Sequence, residues 1–91
     1  MNVMKKVNFE KLELRSLSGK TEEVDAREFV GEMIYARVGG LRNKLLAEKI
    51  FKSEGNCELS DEEAESLRAI AGGDLFSSKL NDAILAALDK E

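Results

Sequence analysis

The chain has 91 residues, 14 Lys+Arg against 18 Asp+Glu for a net charge of −4, and 43% hydrophobic residues, which fits one small folded domain (residues 1–91) and excludes intrinsic disorder. It has no histidine and a single cysteine, Cys57, so an internal disulfide, thiolate and imidazole zinc sites and histidine-based catalytic pairs are excluded. The apolar runs are too short to span a bilayer, and charges interrupt the N-terminal stretch at Lys5-Lys6, so neither a membrane span nor a secretory leader is expected and the cytoplasm is the expected compartment.

Residues 5–24 read as a β-hairpin. Val7 and Phe9 alternate with polar residues, as do Leu12 and Leu14, but the parity changes between the two pairs. A bulge near Glu10-Lys11 would restore one apolar face. Ser16-Leu17-Ser18-Gly19-Lys20 is the turn, with Gly19 supplying a positive φ, and residues 21–24 return. Asp25 then opens a helix with Glu28 at capping-box spacing and Val24 and Phe29 placed as a hydrophobic staple. Phe29, Val30, Met33, Ile34 and Val38 make its stripe, and Gly39-Gly40 stops it.

A second helix is expected over residues 41–53, with Leu45, Leu46, Ile50 and Phe51 as its apolar face and Gly55 just past its end. Residues 57–59 form a short extended segment that can add a third strand beside the hairpin. Ser60 and Glu63 give a capping box, and Asp61 and Glu62 favour the positive helix end. Ala64, Leu67, Ile70 and Ala71 face inward, and Gly72-Gly73 ends the helix. Asp74 is the expected cap of a last helix running to about Leu88, with Phe76, Leu80, Ala83, Ile84, Ala87 and Leu88 in line. The expected fold class is therefore α+β: an N-terminal hairpin packed against about four helices. Its core should contain Phe9, Leu12, Leu14, Val24, Phe29, Val30, Met33, Ile34, Leu46, Ile50, Leu67, Ile70, Leu80 and Ile84.

The chemistry is sparse. Cys57 sits beside Glu58, which opposes thiolate formation, and has no histidine to pair with. The acids at 58–65 are consecutive at a helix start rather than spaced as calcium ligands. The glycine pairs lack the Lys-Ser/Thr of a phosphate loop. No cofactor, metal site or enzymatic activity is expected.

What remains is surface. The stripe of the last helix ends close to the C-terminus, so Phe76, Leu80, Ile84 and Leu88 are candidates for contact with another protein or with a second copy of the chain as a homodimer, with Glu62 and Glu65 as rim charges. The alternative is a small DNA-binding transcriptional regulator using Arg37, Arg42, Lys44 and Lys49 of the central helices. The negative net charge argues against nucleic acid, because phosphate binding draws on Lys and Arg to displace counterions.

The order Val7-Asn8-Phe9-Glu10-Lys11-Leu12-Glu13-Leu14, Asp25 before a helix with Ile34-Tyr35, Leu46-Ala47-Glu48-Lys49-Ile50-Phe51, and Glu58-Leu59-Ser60-Asp61-Glu62-Glu63 resembles small uncharacterised proteins of bacteriophages and of prophages in gut bacteria. The resemblance spans roughly residues 5–71. It implies a cytoplasmic accessory or assembly protein of a phage or mobile element and supplies no site residues. The leading expectation is thus a non-enzymatic protein-interaction module.

Overall fold

The computed structural model describes residues 5–89. The parity change in the first strand is real, and its cause is a break. Strand β1 (Lys5–Val7) stops at Asn8, one 3-10 turn follows (Phe9–Lys11), and β2 begins afresh (Leu12–Arg15). Asn8 holds the turn, its Oδ1 accepting the N–H groups of Glu10 at 3.0 Å and Lys11 at 3.1 Å. The turn drives Phe9 into the core, fully buried, and lets Val7 and Leu12 point inward on either side of it.

Because of that break the strands form two separate two-stranded sheets. β2 pairs antiparallel with β3 (Thr21–Val24), Leu12 opposite Val24 and Arg15 opposite Thr21, around the expected turn at Gly19 with its φ of 94°. The third strand exists as β4 (Cys57–Leu59), but it does not extend the hairpin. It pairs antiparallel with β1, Val7 opposite Cys57 and Lys6 opposite Glu58. The α+β class expected from sequence is the observed one.

Helix α1 (Arg27–Arg37) starts later than the capping-box spacing implied. Ala26 is its N-cap and has no capping side chain. Asp25 stands one residue earlier and turns on Arg27 instead, Oδ1 accepting the Arg27 backbone N–H at 3.2 Å and Oδ2 accepting Nη2 at 2.7 Å. That guanidinium holds the Asp25 carboxyl below its ordinary pKa. Arg27 also donates from Nη1 to the Ser53 carbonyl at 2.8 Å and lies 3.8 Å from Glu10. Glu10 in turn accepts the Gly55 N–H at 3.0 Å. The 3-10 turn, the start of α1 and the end of α2 (Leu41–Phe51) are thereby tied together.

Gly40, at φ 96°, takes the sharp connection from α1 into α2 in a conformation that side chains disfavour. The short link at 38–40 folds α2 back along α1. Gly31 is the contact point: a Cβ there would lie 2.9 Å from Phe51 Cβ and 3.0 Å from the Ala47 carbonyl oxygen. Val30, Ile34, Leu46 and Ile50 turn from this pair into the common core, while α1 and α2 otherwise pack chiefly on each other.

Helix α3 (Asp61–Ala71) carries the expected capping box in full, Ser60 Oγ accepting the Glu63 N–H at 3.2 Å and Glu63 Oε1 accepting the Ser60 N–H at 2.9 Å. Helix α4 (Ser78–Asp89) is capped by Ser77, whose Oγ accepts the Leu80 N–H at 3.3 Å, and not by Asp74. The segment before it is a turn that carries Phe76 inward, and Asn81 Nδ2 pins it by donating to the carbonyls of Gly73 (3.1 Å) and Phe76 (3.2 Å). α4 lies across β1, β2 and α3.

The close approach at Gly31 gives the first prediction. Alanine at a helical glycine ordinarily adds about 0.5–1 kcal/mol. Here the added methyl meets fixed atoms of α2, so Gly31→Ala should instead destabilise by about 1–3 kcal/mol, read as a lower urea midpoint.

Candidate interaction surface

The face proposed from sequence is not on the surface. Phe76 and Leu80 are 6% and 7% exposed, and Ile84 and Leu88 are 0% exposed. α4 spends its stripe on β1, β2 and α3 of its own chain, because those two-stranded sheets and one small-residue helix have nothing else to bury against. Glu62 and Glu65 do lie exposed on α3, away from that buried stripe. They rim no apolar face of α4.

The four basic residues considered for DNA are also dispersed in role. Arg42 reaches Glu62 at 3.4 Å and Lys49 reaches Glu63 at 2.8 Å, which staples α2 to the start of α3. Among the described residues Arg37 and Lys44 take part in no ion pair. Half the basic set is therefore engaged by carboxylates before any phosphate arrives.

Among the described residues no reactive constellation appears. A shallow cleft of about 370 Å³ is lined by Lys49, Ser53, Asn56, Cys57 and Glu58. Cys57 is buried in β4, and burial pushes its thiol up, Lys49 pulling weakly the other way and Glu63 adding to the rise. A larger cleft of about 940 Å³ runs between the hairpin, β1 and the small residues Ala83, Ala86 and Ala87 of α4. Its lining mixes both signs of charge, Lys5, Lys6, Lys11 and Arg15 with Glu13, Glu23 and Asp82. Among the described residues no three His, Cys, Asp or Glu side chains gather as a metal site, and no helix is long and apolar enough to cross a membrane.

The apolar surface lies elsewhere. Six large apolar side chains are exposed among the described residues, and five of them are on the α1–α2 hairpin: Phe29 (54%), Tyr35 (60%), Leu41 (71%), Leu45 (54%) and Phe51 (42%). The sixth, Leu17, is at the tip of the β-turn. α3 and α4 leave none. Three of the five depart from the sequence reading. Phe29, expected in the core, stands half out and touches only the edge of it, its ring 6.0 Å from that of Phe76 at 46°. Leu45 and Phe51, assigned to the inner face of the second helix, flank Leu46, Ala47 and Ile50, which do the burying. Tyr35 and Leu41 drew no attention in sequence. The available signal was excess: α2 carries Leu41, Leu45, Leu46, Ile50 and Phe51 within 11 residues, more than one arc of a helix can turn inward.

No family model, no curated protein and no solved structure matches the chain.

Two measurements test the electrostatics here. Burial raises the Glu63 pKa, but the Lys49 ammonium and the Ser60 N–H more than offset it and hold the carboxyl below its ordinary value of 4.5. A depressed carboxyl contributes stability above its unfolded pKa and loses it as pH falls through the folded one. Wild type should thus exceed Glu63→Gln by about 1 kcal/mol near neutrality, and urea titrations should show the gap closing below about pH 4. For Cys57, native-state labelling by a thiol-specific disulfide reagent should be at least about 100-fold slower than in urea, since the buried thiol must first be released.

Proposed function

We propose that the chain is a non-enzymatic protein-interaction module, an accessory or assembly factor of a phage or mobile element, and that it works through the outer face of the α1–α2 hairpin. The observation that carries this reading is the concentration of exposed apolar side chains on one supersecondary unit, Leu17 at the β-turn tip being the one other large apolar side chain exposed among the described residues. Singly scattered apolar residues on a surface need no explanation. Five on two adjoining 11-residue helices expose on the order of 500 Å² of apolar surface between them. The composition suits docking: three of the five are aromatic, the class enriched at protein interfaces. Charges interleave with them (Glu28, Glu32, Lys44, Lys52), which adds selectivity at the rim. The phage or mobile-element role rests on the sequence resemblance over roughly residues 5–71.

A photo-reactive amino acid placed at Leu45 tests the reading in cells that naturally produce the protein. Irradiation should give discrete protein adducts from position 45 and none from Glu65, an exposed position on α3. Absence of adducts from position 45, or equal adducts from both, would overturn the proposed surface.

A further inference from the structure

We infer that the occupant of this face is a second copy of the chain, and that two α1–α2 hairpins pair about a twofold axis into a four-helix bundle. The inference rests on the reading of the hairpin as an interaction surface and adds the identity of the partner.

The two helices carry opposite charge outward. α1 presents Glu28 and Glu32, and α2 presents Lys44 and, at its C-cap, Lys52, all four exposed; Arg37 near the end of α1 and Glu48 within α2 are exposed as well and offset part of this contrast. Among the described residues none of the four takes part in an ion pair, although Arg27, Arg42 and Lys49 on the same helices are all engaged within the chain. A patch with an acidic half and a basic half is complementary to itself. A wholly acidic or wholly basic partner would match one half and repel the other. An isologous contact satisfies both halves at once.

One axis brings these charges against each other. A twofold axis running between the helices and parallel to them lays α1 of one copy antiparallel on α2 of the other, the arrangement of an up-down bundle. It leaves every residue at its own height along the hairpin. Gly31 abuts Ala47 and Phe51 within the chain, so that height relation carries across the interface. Glu28 then faces Lys52 of the second copy, Glu32 falls within a turn of both Lys44 and Lys52, and Tyr35 meets Leu45. Glu48 is the like-charged neighbour of Glu32 in this register and sits between the two lysines.

The contact is small. Helices of 11 residues are about 16 Å long, and two faces of that size bury on the order of 1,000 Å² in total, the lower bound for a specific interface. An interface at that lower bound belongs to the weak, transient class, so the dimer is concentration-dependent.

Sedimentation equilibrium of the full chain, from about 1 to about 500 µM, reads this directly. The mass should rise from 10.1 kDa toward twice that value. Leu45→Glu, at an exposed site, should retain the wild-type circular dichroism and remain monomeric throughout. Glu28→Lys or Lys52→Glu alone should weaken association about tenfold or more, and the two together in one chain should restore it, because the twofold brings the exchanged pair back into register. A monomeric wild type, a dimer indifferent to Leu45→Glu, or a double variant no better than either single would each overturn the inference. If the wild type is monomeric but position 45 still cross-links a protein of different mass, the second copy is wrong and the interaction surface stands. If neither is seen, both fall.

Discussion

The architecture depends on one turn of 3-10 helix. Without the interruption at Phe9–Lys11, residues 5–15 would form a single strand, and period-2 alternation would send either Val7 and Phe9 or Leu12 and Leu14 to solvent. The turn resets the phase, so that Val7, Phe9 and Leu12 are all buried. It also splits the strand between two partners, giving β1 to β4 and β2 to β3. The same turn places Glu10 where it reaches both Gly55 and Arg27, so the position of the helical hairpin follows from it. A segment of three residues thus sets the two sheets and locates the pair of helices that stands beside them.

From this follows the division of labour among the helices. Two-stranded sheets are not stable alone and must be covered. α4 lies over β1 and β2 and packs on α3, which buries Leu80, Ala83, Ile84 and Leu88, and the turn before it buries Phe76. α1 and α2 are left with a narrower duty. They bury Val30, Ile34, Leu46 and Ile50 along one edge, close on each other at Gly31, and keep five large apolar side chains largely in solvent.

What the sequence disclosed was local. The Ser60–Glu63 capping box, the Gly19 turn and the interruption at Gly40 depend on residues within four positions of one another, and each is found as read. The shift of the first helix start from Asp25 to Ala26 is a competition that spacing does not resolve: Asp25 has a guanidinium two residues on and engages it rather than serving as N-cap. The pairing of β4 with β1 was illegible because three-residue strands carry too little pattern to choose a partner some 50 positions away. The last helix was correctly read as apolar and wrongly as available. Periodicity reveals that a face must be covered; only the third dimension reveals that the same chain covers it.

That distinction explains why the surface moved from α4 to the α1–α2 hairpin. A near-perfect stripe is what evolution leaves on a helix with one partner already in place, since every off-stripe position is free to be polar. A helix with two apolar surfaces to serve looks less regular, because inward and outward residues are superposed on one wheel. Leu45 beside Leu46, and Ile50 beside Phe51, are such superpositions: one of each pair is buried and its neighbour exposed. In a chain without disulfide, proline or histidine, stability rests on packing and capping alone, and exposed leucine and aromatic side chains favour aggregation unless something covers them. The helix that looks poorly amphipathic is therefore the better place to seek a contact surface, and the one with the cleanest stripe is the better place to seek the core.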